Sequence, residues 1–388
     1  MNNSKILFVS HEATRTGAPI VLLTLLRWLK TNTNIEITIL LKQSGELHKE
    51  FAEIGETFCW STGVHRSFKH DLLSKAWRRI TKPNLFVPFP SELEKKCFDV
   101  IYLNTAIGLE FAPLLKEKFR CPVIAHIHEN AFLLKSFSQN FLCSLNIQHI
   151  ERFIAVSEST KESLVNNYQI PTEKIDVIYE FINISDITKT PMDVGKLKMS
   201  LKINKDEFVV GGCGTAEWRK GIDLFIYTAA FLKRNFPDER IKFVWVGEVN
   251  SFYKQMFAYE IVRFGISDMV IFTGASQNVA DYFKCFNVFF LSSREDPFPL
   301  VCLEAAALQT PILCFQNAGG MNEFIKAGGG ANVEYANIEA VASRVVELKN
   351  NKALLKEMAE TAQRSALCYD VHIVAPSILK TILGVYEN

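Results

Sequence analysis

Short runs of apolar, β-favouring residues recur along this chain with helix-spaced segments between them, and that alternation limits the fold more than any other feature. In the first half the runs are KILFVS (5–10), IEITILL (35–41), FDVIYLN (98–104), PVIAHIH (122–128) and ERFIAVS (151–157). The pattern fades across 181–206 and restarts with FVVGGCG (208–214), IKFVWVG (241–247), MVIFTG (269–274), NVFFLSS (287–293) and TPILCF (310–315). The runs are apolar throughout rather than alternating, so both sheet faces need cover, as in parallel sheets with helices on either side. Between the runs, APIVLLTLLRWLKTN (18–32) has helical spacing, and Ser157 is placed to cap a helix through STKESLVNNY. The expected fold class is α/β, with two doubly wound Rossmann-like domains facing a central cleft. The expected division is a first domain over 1–185, a linker over 186–204 and a second domain over 205–370. A final helix over 371–388 is expected to pack back on the first domain. Ligands of open α/β sheets gather at the carboxyl ends of the strands, which directs attention to the loops that follow them.

Composition narrows the function classes. With 388 residues, 48% hydrophobic and 22% charged, the chain is globular and large enough for two cores. A net charge of +1 argues against a general nucleic-acid binder. The nine cysteines form no CxxC pair and several sit in apolar runs, which suits buried thiols in a reducing compartment. MNNSKILFVS is too short and too soon polar for a signal peptide, and no apolar run reaches about 20 residues. A cytoplasmic location is expected.

The loops carry the chemistry. In SREDPFPLVCLE (293–304), Pro297 and Pro299 suit a helix start, so the helix should begin near Phe298 to Leu300. Asp296 then stands at the helix mouth, where free N–H groups make an anion site. Glu304 falls among Leu303, Ala305 and Ala306, where a carboxylate needs donors, and a ribose diol offers two. Simple capping by Asp296 and simple exposure of Glu304 fit the same letters. In GCGTAEWRKG (212–221), Gly214 allows close backbone approach, and the adjacent cations Arg219 and Lys220 can neutralise a diphosphate. This stretch is neither a P-loop nor GxGxxG. In FQNAGGMNE, Gly319 and Gly320 form a turn, and Glu323 either caps the next helix or meets sugar hydroxyls. Gly17 marks another strand-to-helix loop, SHEATRTGAPIV. HIHE gives two histidines on one strand, half a metal site with no third ligand at familiar spacing, so no metal is expected. His128 at that strand's end is read as a donor to sugar or phosphate, or as a structural histidine. No DxD occurs anywhere.

Taken together, these residues resemble the retaining glycosyltransferase family 4, of the two-domain GT-B fold. The likeness is strongest over about 208–350 and traceable over 5–183. It rests first on an acid pair with seven residues between them, here Asp296 and Glu304. The resemblance implies that Asp296, with Phe298, Pro299 and Leu300 after it and Glu295 beside it, surrounds the donor hexose. It implies that any amide contact in that stretch comes from Phe298 or Leu300, since Pro299 has no N–H. It also implies that Glu304 holds the ribose and Lys220 the phosphate, that Glu323 of GGMNE lies near the sugar, and that His128 of HIHE lies near the transferred sugar. VSEST (156–160) also fits. Thr215 replaces the family's arginine after the first glycine, leaving Arg219 as the substitute, and EFIN (180–183) replaces the Asn-Gly-Val-Asp hinge motif.

The implied activity is metal-independent, retaining transfer of a hexose from a UDP- or GDP-sugar to a saccharide or lipid-linked saccharide acceptor, with no other cofactor. Bacterial surface polysaccharide assembly is the expected setting. A non-catalytic nucleotide-sugar-binding subunit and a GT-B nucleotide-sugar epimerase are the competing readings. The stretch 67–90 interleaves Lys69, Lys75, Arg78, Arg79 and Lys82 with Leu73, Trp77 and Ile80, as in a helix lying on an anionic membrane or packed on the first domain.

Overall fold

The computed structural model describes residues 4–60, 89–140, 144–189 and 193–386. The basic segment from Lys69 to Lys82 lies outside them. The chain forms two compact units. One is Met1–Ile127 with Phe137–Ile154 and Lys380–Asn388, the other His128–Ser136 with Ala155–Leu379.

Each apolar run forms a strand. The first sheet contains β1 (Lys5–Ser10), β2 (Glu36–Leu41), β3 (Glu56–Cys59), β4 (Val100–Asn104), β5 (Val123–Ile127), β6 (Arg152–Ala155) and β7 (Ile175–Val177), in the order β3-β2-β1-β4-β5-β6-β7. The second contains β8 (Phe208–Cys213), β9 (Ile241–Val246), β10 (Val270–Gly274), β11 (Val288–Leu291), β12 (Ile312–Phe315) and β13 (Gly330–Val333), in the order β10-β9-β8-β11-β12-β13. All pairs of the second sheet are parallel, as are β1–β2, β1–β4, β2–β3 and β4–β5. Both sheets are of the doubly wound Rossmann type. Sequence reading misses β3, β7 and β13, which are short edge strands; edges tolerate polar residues that a central strand cannot hold.

The period of two explains why the central strands are apolar at every position. In the second sheet Val210, Phe243, Trp245, Val288, Phe290, Leu313 and Phe315 face one core, with the helices Ile222–Asn235, Ser251–Arg263 and Ile338–Asn350 above them. Their alternates Val209, Val244, Val246, Phe289, Leu291, Ile312 and Cys314 face the other. That face is covered by Leu300–Ala307, Val279–Cys285 and Lys352–Ala366.

Strand order positions the chemistry. From β8 the chain moves outward to β9 and β10, then returns to lay β11 beside β8. The loops after β8 and β11 therefore leave neighbouring strands in opposite directions, which opens a crevice at their carboxyl ends. These two loops meet at Gly221, which has φ +65° and caps Ile222–Asn235; a Cβ there would lie 1.9 Å from the Ser292 carbonyl oxygen. Ser292 Oγ donates back to the Lys220 carbonyl at 2.9 Å. Gly221→Ala is therefore expected to lower the urea-unfolding free energy by about 2–4 kcal/mol, from positive-φ strain plus a backbone collision. Wild-type stability in that variant would show that the loops are not pinned together.

Candidate active site

The loop after β8 tightens into a single turn, Trp218–Lys220, before Gly221. The loop after β11 runs from Ser292 to Pro299, and the helix Leu300–Ala307 begins with Pro299 at its cap, where the two prolines place it. Asp296 is buried between these loops. Its carboxylate accepts from Lys220 Nζ at 2.6 Å and from Ser293 Oγ at 3.1 Å, and lies 3.8 Å from the Arg219 guanidinium. Burial alone would raise its pKa. Lys220 first and Arg219 second outweigh that and hold it below the ordinary 3.8, so it stays ionised. Arg219 also donates to the Glu295 carbonyl at 3.0 Å and pairs with Glu217 at 3.1 Å. Lys220, Arg219 and Asp296, separate in the sequence, thus form one charged cluster at the crevice. Gly214 lies alongside, where a Cβ would sit 3.4 Å from the Lys220 side chain.

The residues after Asp296 are fixed by packing. Phe298 is buried against Tyr179 and Tyr369, with ring centroids 5.2 and 5.3 Å away. Gly319, at φ +132°, pairs with Asp296 through a parallel bridge. A Cβ at 319 would fall 1.7 Å from the Asp296 carbonyl oxygen, and Asp296 N donates to the Ala318 carbonyl at 2.8 Å. Gly320 is equally tight, with Phe298 and the Pro297 carbonyl 2.4 Å from its Cβ position. Leu300 opens the helix, and Glu304 stands in its second turn, half-buried. Burial pushes the Glu304 carboxyl up to about 7, and it makes no hydrogen bond among the described residues.

Two other acids turn elsewhere. The Glu295 carboxylate accepts from Phe132 N at 3.0 and 3.2 Å, at the start of the helix Ala131–Asn140. Glu323 lies within the short helix Met321–Phe324 and does not cap it. Its carboxylate instead accepts from Glu158 N and Ser159 N, at 3.2 and 3.4 Å, at the start of Glu158–Tyr168. Unsatisfied N–H groups and the positive end of each helix dipole attract a carboxylate, which is why both acids settle there. Ser157 caps the latter helix as its sequence suggests, accepting from Thr160 N at 3.1 Å.

In the HIHE motif, β5 ends at Ile127 and His128 follows directly after it. Its ring Nδ1 lies 2.6 Å from Glu180 Oε1, and both side chains are buried. Burial by itself lowers the His128 pKa. The Glu180 carboxylate, and then Glu129, reverse this and raise it above the ordinary 6.5. Glu180 is the first letter of EFIN, the point of departure from the hinge motif, and sequence reading missed it. The signal was an acid flanked by Tyr179 and Phe181, where a carboxylate requires a partner. Gly17 opens the helix Gly17–Asn32 in the first unit, with open space where its Cβ would stand. No group of three His, Cys, Asp or Glu able to hold a metal ion occurs among the described residues.

A raised histidine pKa stabilises the fold fully below the unfolded value and loses that contribution as pH climbs through the folded value. Glu180→Gln removes the larger of the two raising causes. In NMR titration the His128 imidazole of that variant should titrate lower than in the wild type. An unmoved titration would rule out Glu180 as the source.

Comparisons with known proteins extend this geometry. The Glycosyltransferase Family 4 model matches residues 15–186, and the model for Glycosyl transferases group 1 matches residues 193–365. The alpha-galactosylglucosyldiacylglycerol synthase of Streptococcus pneumoniae is 27% identical over 263 residues, 66% of this chain and 66% of that protein. An alpha-1,3-N-acetylgalactosaminyltransferase of Campylobacter jejuni, acting on N,N'-diacetylbacillosaminyl-diphospho-undecaprenol, is 26% identical over 261 residues, with the same 66% of each chain covered. The crystal structure of Anabaena HepE in complex with UDP-glucose superposes with a TM-score of 0.79 at 20% identity, covering 98% of this chain and 99% of that one. Two parallel Rossmann-like sheets, and a family match in each half of the sequence, make this chain a member of the GT-B-fold glycosyltransferases.

Proposed function

We propose that the protein transfers a hexose-type sugar from a nucleotide-sugar to an acceptor hydroxyl with retention of anomeric configuration. The observation that carries this is the cluster at the crevice, where Asp296 holds Lys220 and Arg219 beside a helix mouth, with Glu304 eight residues on and without a donor. In this reading Glu304 receives the ribose hydroxyls. Lys220 and Arg219 meet the negative charge that grows on the departing diphosphate, so the work of a divalent metal falls to side chains. His128, whose pKa the Glu180 carboxylate raises, is a hydrogen-bond donor to the sugar. No described side chain is read as a covalent nucleophile. The acceptor attacks the face the diphosphate leaves, and the leaving phosphate takes its proton.

UDP-hexoses are the first donors to test, since HepE was solved with UDP-glucose. The names of the S. pneumoniae and C. jejuni relatives support a glycolipid or lipid-linked acceptor, and with it surface-glycan assembly at the cytoplasmic membrane face. No helix among the described residues is long and apolar enough to span a membrane. A screen of UDP-, GDP-, ADP- and dTDP-sugars by thermal shift, followed by turnover of the stabilising donor in excess EDTA, tests the activity. NMR of the product should show the donor's anomeric configuration. An inverted product, or a rate that EDTA abolishes and Mg²⁺ restores, would refute the corresponding part.

Glu304 gives a sharper test. Between pH 4.5 and about 7 the folded chain keeps a proton that the unfolded chain releases, so this group's contribution to stability declines as pH rises through that window. Glu304→Gln should therefore make the ligand-free protein more stable at pH 8 by about 1–2 kcal/mol. It should also weaken nucleoside diphosphate binding in calorimetry by about 1–3 kcal/mol. Loss of both stability and affinity would identify Glu304 as a structural acid instead.

A further inference from the structure

A second depression lies in the same unit, across the 294–296 loop from the Lys220 cluster. It is an open cavity of about 300 Å³. One wall is a face of the helix Glu158–Tyr168, where Ser159, Glu162, Ser163, Asn166 and Asn167 recur at steps of three and four residues. Asn130, Glu295 and the turn Asn317–Gly319 line the rest. Consecutive residues face different ways here. Asp296 turns its carboxylate to Lys220, while Glu295 lines this cavity and its carboxylate accepts from Phe132 N.

The charges decide what class of ligand fits. The described lining holds two carboxylates, Glu162 and Glu295, and one cation, Arg294. That cation is already committed. Arg294 forms a two-pronged pair with Asp223 at 2.8 and 2.6 Å, donates to the Trp218 carbonyl at 2.6 Å and lies over the Trp218 ring at 4.8 Å. A phosphate or sulfate would meet two acids and no free guanidinium. The amides of Asn166, Asn167 and Asn317, by contrast, make no side-chain hydrogen bond among the described residues and are exposed. Each amide offers a carbonyl acceptor and an NH₂ donor, matching a hydroxyl that both gives and accepts. Next to the lining residues Ala131 and Arg294, Phe132 and Trp218, each 50% exposed, pair with centroids 5.3 Å apart. They give an apolar surface for the C–H face of a sugar ring. Phe132 is tied to the cavity through its N–H bond to Glu295.

We propose that this cavity is a saccharide subsite that holds a neutral or amine-bearing sugar of the acceptor. Its place beside the Asp296 loop rests on the transferase reading given above, but recognition of the sugar does not. The subsite would select among acceptors without touching the nucleotide.

The probe is an array of immobilised oligosaccharides containing neutral, amino, sulfated and phosphorylated members, read with the full-length protein. Two variants accompany it, Phe132→Ala and the pair Asn166→Ala with Asn317→Gly. Glycine at 317 preserves the φ of +56° found there. Wild-type protein should retain neutral or amino glycans, and each variant should lose about tenfold in retention. UDP affinity, measured by calorimetry, should stay at the wild-type value in both. Retention of sulfated or phosphorylated glycans alone, equal retention by the variants, or no retention of any glycan by the wild type would each overturn the subsite. If the wild type holds glycans in this way but binds none of the four nucleoside diphosphates, the subsite stands and the donor reading falls.

Discussion

A carboxylate removed from water must find positive charge or give up its own, and the second unit is arranged around one that finds it. Asp296 is buried, and breaking such a pair by removing one partner typically costs about 3–5 kcal/mol. Satisfying it requires Lys220 and Arg219 to arrive from the neighbouring strand's loop, at 2.6 and 3.8 Å. That requires β11 to return beside β8, and the return requires Gly221, since a side chain there would strike the Ser292 carbonyl. The Gly319–Gly320 turn closes on Asp296 from the other side under the same restriction. Strand order, glycine placement and charge are therefore one constraint seen at three scales.

The contrast between Asp296 and Glu304 shows how environment divides the work of two similar groups. Both lie in the segment after β11, and burial opposes the charge of both. Cations reverse the effect at Asp296, and nothing among the described residues does so at Glu304. One group is therefore held ionised by cations within the folded chain, while the other has its pKa raised by burial with no cation among the causes.

Much of this was legible in the letters. Central strands were readable because both of their faces are buried, which leaves no room for polar residues; β3, β7 and β13 were not, because edge positions relax that demand. The helix start at Leu300 followed from Pro297 and Pro299, and the Ser157 cap from its position before STKES. Contacts between distant segments were not legible. Nothing local in GGMNE says that Glu323 reaches Glu158 and Ser159, and nothing local in HIHE says that Glu180 waits 52 positions on. Local spacing encodes local geometry; pairings over such separations are set by topology, which the letters specify only through the fold as a whole.

Apart from the Tyr179 side chain at Glu323, the carboxylates of Glu295 and Glu323 bind main-chain N–H groups. Such recognition is blind to residue identity. The side chains at 132, 158 and 159 are thus released from any part in these two contacts and are free to diversify, with proline alone barred for want of an N–H. One of those positions, 159, lines the polar cavity, and 132 follows the lining residue Ala131. The fold thereby holds these two helix starts by the backbone and leaves the side chains at 132, 158 and 159 open to change without loosening the helices that carry them.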